Sequence, residues 1–242
     1  MTIGRRFEAA LAQHSGSELA GPEALPQRLS RAAADVLGVD GAGLTLVDGA
    51  GRRIPLGASS PQAARAERMQ FTAGEGPCAA AETTGQPVFA VEEDLRRRWP
   101  LFADLLLGGT DFRAVVALPL RPGPAGPGAI DLFFTRPADV ARLDVFAAVA
   151  VGELITSALS DAAEWSAWTP AEGPGWVQGP VPRRRAAVWE AVAKLSVALD
   201  VDPVDALALL RADAYAGARS ADEVAADLLD GRRSPDDLRP GG

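Results

Sequence analysis

Apolar residues recur at three- and four-residue intervals through the last sixty positions of the chain. Val188, Val192, Leu195 and Leu199 share one face of a helix. Asp202-Pro203 marks a second helix start, with an Asp cap and a Pro at the first helical position. That helix offers Ala206, Leu207, Leu210 and Ala214 to a core, and Gly217 is placed to stop it in a left-handed cap. A third begins at Ser220, which forms a capping box with Glu223 ahead of Val224, Leu228 and Leu229. Helices this short bury little alone, so the pattern predicts one small three-helix bundle.

The first 160 residues alternate between the two periods. Leu25 to Leu37 reads as a helix stopped by Gly38, and Gly41 to Asp48 as a strand turning at Asp48-Gly49-Ala50-Gly51 into 52–58. Short helices are predicted from Pro61 to Met69 and from Gly76-Pro77 through Thr83, and a brief strand from Val88 to Val91. Trp99 to Leu107 reads as helix. Phe112 to Leu120 and Ala129 to Thr135 read as strands joined by a Pro/Gly-rich loop, Pro122 to Gly128. A long helix follows over 137–159, with Leu143, Phe146, Ala147, Ala150 and Leu154 near a heptad seam. The predicted fold class is therefore α+β, an antiparallel sheet flanked by helices, followed by an all-α three-helix bundle. The boundaries are a loose N-terminus over 1–20, a domain over 21–160, a Trp/Pro/Gly-rich linker over 161–182, the bundle over 183–233 and a disordered tail over 234–242. Trp165, Trp168 and Trp176 in that linker are too apolar to remain solvated, so the segment is expected to dock.

Composition narrows the chemistry. The 242 residues carry a net charge of −8, which excludes a generally basic nucleic-acid binder. Residues 183–233 hold eight basic and nine acidic side chains, so any RNA contact must be a local patch. One Cys and one His preclude an internal disulfide and argue against a protein-only zinc site; no metal site is expected. No stretch approaches eighteen consecutive apolar residues and the start lacks an apolar signal region, so no membrane association and a cytoplasmic location are expected. Arginine far outnumbers lysine, Lys194 being the sole one, which suggests a GC-rich, actinobacterial-type genome.

Two stretches carry family likenesses. Val188-Trp189-Glu190-Ala191, Leu195-Ser196-Val197, Asp205-Ala206-Leu207, Leu210-Arg211, Ala214-Tyr215-Ala216, Arg219 and Glu223-Val224-Ala225 resemble the ANTAR domain, a three-helix RNA-binding module of bacterial transcription antiterminators. The likeness spans about 183–233 and departs from the family at Ala193, Lys194 and Asp200, where the family carries Gly, an apolar residue and Gly. Gly74-Glu75-Gly76-Pro77-Cys78 and Gly85-Gln86-Pro87-Val88 resemble the pattern of GAF domains that precede an ANTAR domain. The GAF likeness implies ligand sensing, dimerisation, and a pocket on one sheet face. It places Phe71, Cys78, Phe89, Trp99, Phe102, Val116, Leu118 and Phe133 at or around that pocket, each of which also reads as plain core. No cofactor is implied beyond an unidentified small molecule. Cys78 beside a helix start is a candidate thiolate, though a small buried side chain is the favoured reading.

The combined expectation is a signal-responsive regulator that binds structured hairpins in nascent transcripts as a homodimer through the helix 137–159, without DNA specificity. Arg183, Arg184, Arg185, Lys194, Arg211, Tyr215, Arg219, Arg232 and Arg233 are the candidate RNA contacts, with Arg211 and Tyr215, one turn apart, at the centre. The same arginines are equally suited to solvating helix ends or pairing with Asp213, Glu223 or Asp227. Acidic Asp222, Glu223, Asp227, Asp230, Asp236 and Asp237 motivate the alternative, a non-enzymatic sensory scaffold whose bundle no longer binds RNA. No catalytic residues are expected. Reduction of methionine sulfoxide needs a second Cys, there is no phosphate-binding Gly-rich loop, and His14 has no triad partner.

Overall fold

A computed structural model describes residues 1–16, 19–123, 126–165 and 174–239. Helix α1 (Ile3–Gln13) is capped by Thr2, whose hydroxyl accepts from the Arg5 N–H, and it buries Phe7 and Ala10. This corrects the expected loose N-terminus. Ile3, Phe7, Ala10 and Leu11 form a stripe at helical spacing that packs into the same core as α2 (Leu25–Leu37) and α7 (Val145–Trp165). Gly38 ends α2 at φ 65°, as its left-handed position requires. The sheet contains β1 (Gly41–Val47), β2 (Arg53–Ala58), β3 (Val88–Val91), β4 (Ala114–Gly123) and β5 (Gly126–Phe134) in the order β2-β1-β5-β4-β3, every pair antiparallel. The expected 122–128 loop is thus largely strand, and its tip, 124–125, lies outside the described residues.

Strand alternation divides the sheet into two faces. Ile130, Leu132 and Phe134 of β5 join Leu44, Leu46, Val116 and Leu118 beneath α1, α2 and α7. Phe133 faces the other way. It stacks on Phe112 with centroids 4.9 Å apart, among Trp99, Phe102 and Leu106 under α3 (Pro61–Ala73), α4 (Pro77–Thr84), α5 (Glu92–Arg98) and α6 (Pro100–Gly109). On this second face the β1–β2 end is polar: Thr45, Asp131, Glu67 and Gln70 are all buried there.

The long helix expected over 137–159 is two elements. Pro137–Arg142 forms a 3₁₀ turn, Leu143 is extended, and Asp144 starts α7 by accepting the Ala147 N–H at 3.0 Å. α7 is also the one described helix long and apolar enough to cross a bilayer, a feature the run-length criterion missed. Ala148, Val151, Ile155, Leu159 and Ala163 are nevertheless buried along it, against the sheet and α1. Phe146 is 89% exposed and Val149 45%. Past α7, Trp168 lies outside the described residues, whereas Trp176 docks at 2% exposure in the main core.

The C-terminal bundle comprises α8 (Pro180–Leu199), α9 (Pro203–Ala216) and α10 (Ala221–Leu229). Asp202 caps α9, and the Ser220–Glu223 box caps α10, both at the expected positions. Two details differ from expectation. The left-handed residue after α9 is Ala218 (φ 52°) instead of Gly217 (φ −84°). The tail expected to be disordered from 234 forms a 3₁₀ turn, Pro235–Leu238, because Leu238 supplies another apolar side chain to the bundle core; residues 240–242 lie outside the described residues. Asp200 ends α8 in the left-handed region at φ 55°, where Gly is unstrained. Asp200→Gly relieves about 1–2 kcal/mol of left-handed strain against about 0.5–1 kcal/mol of added chain entropy, so unfolding stability should rise by up to about 1 kcal/mol, measured by urea denaturation; a loss would refute the strain.

Candidate functional site

The polar end of the second sheet face meets the bundle. The junction is a cleft of about 390 Å³, counted to open solvent. Thr45 and Arg53 from the strands, Glu67, Gln70 and Phe71 from α3, the Gly74–Ala79 segment, and Arg185 and Arg211 from the bundle line it. The bundle thus forms one wall of the cleft, which stays partly open to solvent.

Phe71 is the centre. Although it belongs to α3, its ring is buried in the bundle core among Val188, Leu195 and Leu210. The Arg185 guanidinium carbon lies 3.3 Å from the ring centroid and that of Arg211 lies 4.6 Å away. Trp189 meets the same ring edge-on, centroids 6.1 Å apart at 85°. Arg185 is almost wholly buried and pairs with Asp222 of α10 through Nη2–Oδ2 at 3.2 Å. Breaking such a pair by removing one partner costs about 3–5 kcal/mol. Burial pushes the Arg185 guanidinium pKa down, against the opposing charge of Asp222. Arg211 has no ion pair among the described residues, and burial, followed by repulsion from Arg185 and Arg53, brings it down to about 10.

Backbone geometry in the Gly74–Cys78 motif makes room for these contacts. Gly74 ends α3 at φ 75°, and a Cβ there would stand 3.1 Å from Arg211 Nη1. A Cβ on Gly76 would fall 2.2 Å from Gln70 Oε1, which accepts the Cys78 N–H at 3.0 Å. Gln70 Nε2 donates to Asp131 Oδ2 at 2.6 Å, and the Thr45 hydroxyl donates to Glu67 Oε2 at 3.0 Å. Glu67 Oε1 and Asp131 Oδ1 are buried with no other donor nearby among the described residues, and the two carboxyl groups hydrogen-bond to each other. Burial raises both carboxyl groups: Glu67 well above the usual carboxylate range, helped by the Asp131 charge, and Asp131 to about 6 despite the Gln70 donor. Burial likewise pushes the Cys78 thiol up, so it is a protonated, buried side chain and not a poised thiolate.

Of the eight residues predicted around the pocket, Phe71 and Cys78 line this cleft. Trp99, Phe102 and Phe133 are core under α3–α6, Val116 and Leu118 lie on the opposite sheet face, and Phe89 is a partly exposed β3 residue. Of the nine candidate RNA contacts, Arg183 and Arg184 are exposed without an ion pair among the described residues. The other seven are engaged. Arg185 and Arg211 hold Phe71, and the Tyr215 hydroxyl donates to Asp104 of α6 at 3.1 Å. Arg219 pairs with Asp227 at 2.5 Å, Arg232 with Asp227 and Asp230 at 2.7 and 2.9 Å, and Arg233 with Asp213. Lys194 donates to the Leu228 carbonyl at 2.5 Å, at the C-terminal end of α10 where a cation suits the helix dipole. The predictions omitted Glu67, Gln70, Asp131 and Asp222. Glu67 and Gln70 sit within the α3 helix pattern, Asp131 lies in β5 away from the motifs that carry a family likeness, and Asp222, beside Glu223-Val224-Ala225, was read only as part of the acidic third helix.

No protein-family model matches the chain, and no curated protein does. Solved structures similar to it include the GAF domain of a phosphoenolpyruvate-protein phosphotransferase from Acinetobacter, at 12% identity and TM-score 0.45, covering 70% of this chain and 100% of that one. The corresponding domain from Coxiella burnetii is 14% identical at TM-score 0.40, over 67% of this chain and 99% of that one. A free methionine-R-sulfoxide reductase from Neisseria meningitidis, in complex with its substrate, is 17% identical at TM-score 0.39, over 66% and 93%. At these scores the chemistry of the site rests on this chain's own residues.

Because burial favours the protonated form of Asp131, its stabilising share is complete below the ordinary carboxylate pKa of 3.8 and is lost as pH rises through about 6. Asp131→Asn should flatten that slope. Relative to the variant, the native chain should lose on the order of 2–3 kcal/mol between pH 3.8 and 6.5 in urea titrations. Parallel pH profiles for the two proteins would refute the buried-charge account.

Proposed function

We propose that this chain is a cytoplasmic, non-enzymatic regulator in which a GAF-like sensory domain controls an ANTAR-like, RNA-hairpin-binding bundle by covering it. The observation that carries this reading is the position of Arg211 and Tyr215. These two, the centre of the expected RNA contact, lie against the sensory domain, on Phe71 and Asp104, beside Arg185 on the same ring. In the docked state the bundle offers RNA little beyond Arg183 and Arg184, since Arg219, Arg232 and Arg233 are neutralised within the bundle itself. A signal that lifts the bundle frees Arg211 and Tyr215 to join Arg183 and Arg184, a set suited to phosphates and an unstacked base.

The test uses the full chain and a panel of hairpin RNAs. Phe71→Asp places a charge in the bundle core and should undock it, raising hairpin affinity by about tenfold or more with a steep salt dependence. Adding Arg211→Ala to that variant should weaken binding and shallow the salt slope by about one unit. Salt-insensitive or absent binding in every form would overturn the RNA reading in favour of the interaction scaffold, which the in-bundle ion pairs favour.

A second copy of the chain is the proposed partner of α7. Phe146 and Val149, three residues apart on that helix, expose large apolar area to solvent. Light scattering should give a dimer mass for the native chain and a monomer mass for Phe146→Glu. A monomer mass for the native chain at all concentrations would remove the dimer from the proposal.

A further inference from the structure

We infer that the cleft under the bundle is a recognition site for a guanidinium or alkylammonium ligand, which the bundle's own Arg185 and Arg211 occupy in cis. This rests on the docked-bundle reading above and adds the chemical class of the signal. Two cationic groups already lie against one aromatic ring, at 3.3 and 4.6 Å from its centroid. An aromatic face attracts such cations through its ring quadrupole, the more so when shielded from water.

What remains when the bundle lifts decides the sign of the ligand. Arg185 and Arg211 depart with their helices. Arg53 stays, but it is paired with Glu82 at 2.8 Å. The exposed floor is then Phe71, Glu67, Glu75, Thr45 and Gln70, with Asp131 behind Glu67. Glu67 and Asp131 are both buried in the docked state, and their two carboxyl groups hydrogen-bond to each other, with no arginine or lysine paired to either among the described residues. An aromatic ring over a buried carboxyl pair suits a cation and repels an anion.

The two occupants are unequally held, which makes exchange feasible. Arg185 has Asp222 as its own counter-ion, whereas Arg211 has no carboxylate and faces Arg185 and Arg53. A soluble guanidinium therefore competes first with Arg211, and displacing it removes one of the contacts that fasten α9 to the sensory domain.

Calorimetric titration of the full chain with ethylguanidinium, ethylammonium and inorganic phosphate tests this. Arg211→Ala vacates part of the site and should bind ethylguanidinium about tenfold more tightly than the native chain, since no internal competitor remains there. Arg211→Ala combined with Asp131→Asn, which removes the charge of the carboxyl pair, should lose about tenfold of that affinity. Should the double variant fail to fold by circular dichroism, Phe71→Leu in the Arg211→Ala background replaces it, with the same expected loss. Equal affinity of the native and Arg211→Ala proteins, or tighter binding of phosphate than of ethylguanidinium, overturns the inference. The two readings fail separately. Ethylguanidinium binding with no gain in hairpin affinity removes RNA gating and keeps the cation site. Hairpin binding by Phe71→Asp, with no ethylguanidinium binding by Arg211→Ala, removes the cation site and keeps the gating.

Discussion

Burial of two guanidinium groups against one phenyl ring is the constraint around which the molecule is arranged. A guanidinium leaves water only if something replaces the lost hydration. At Arg185 the replacement is Asp222 and the face of Phe71; at Arg211 it is the ring alone. Because Phe71 comes from α3, Arg185 from α8, Arg211 from α9 and Asp222 from α10, this cluster fixes all three bundle helices to the sheet domain at once. Gly74 is part of the same arrangement, since its missing Cβ is what lets Arg211 lie over the end of α3. The Thr72 hydroxyl, one residue beyond Phe71, accepts the Ala221 N–H at 3.0 Å and so serves one of the free donors at the start of α10.

Much of this architecture was legible because its signals are local. The helix Leu25–Leu37, the strand Val88–Val91 and the bundle's Asp202 and Ser220 caps follow from residues within one turn of each boundary. Helix α5 was not legible. Glu92-Glu93-Asp94-Leu95-Arg96-Arg97-Arg98 buries only Leu95 and owes its form to acids in its first turn and bases in its last, which leave no apolar period to detect. α1 was missed for the opposite reason: Ile3, Phe7, Ala10 and Leu11 are a legible stripe, hidden by the charged residues between them. The left-handed residue after α9 fell on Ala218, not on the glycine beside it, because the Arg219 N–H reaches back to the Ala214 carbonyl and the chain must turn between them.

The candidate site was less legible still. The motif Gly74–Cys78 pointed to the right region, and Phe71 and Cys78 do face the cleft. The buried carboxyl pair could not be found in the same way, since Glu67 and Asp131 are 64 positions apart and meet only through the register of β5 beside β1. Arginine roles were ambiguous for a related reason. A sequence can place Arg211 and Tyr215 on one helical face, but whether that face meets RNA or Phe71 depends on how one domain docks on another.

That docking divides the bundle's cations into two groups with different consequences. Arg219, Arg232 and Arg233 pair with Asp227, Asp230 and Asp213, all within the bundle, so no movement of the sheet domain releases them. Arg211 and Tyr215 are held across the seam, by a ring and by one hydrogen bond to an exposed carboxylate, and any separation frees them. A ligand can shift such an equilibrium only by its difference in affinity for the two states, and a site filled by the protein's own side chains when closed gives the largest difference available. Arg185 limits the device from the other side. Its pairing with Asp222 lies inside the bundle, so the α8–α10 contact does not depend on Phe71, and the proposed moving part is a preassembled helical unit that meets the sheet domain through all three of its helices, at Arg185, Arg211 and the Ala221 N–H.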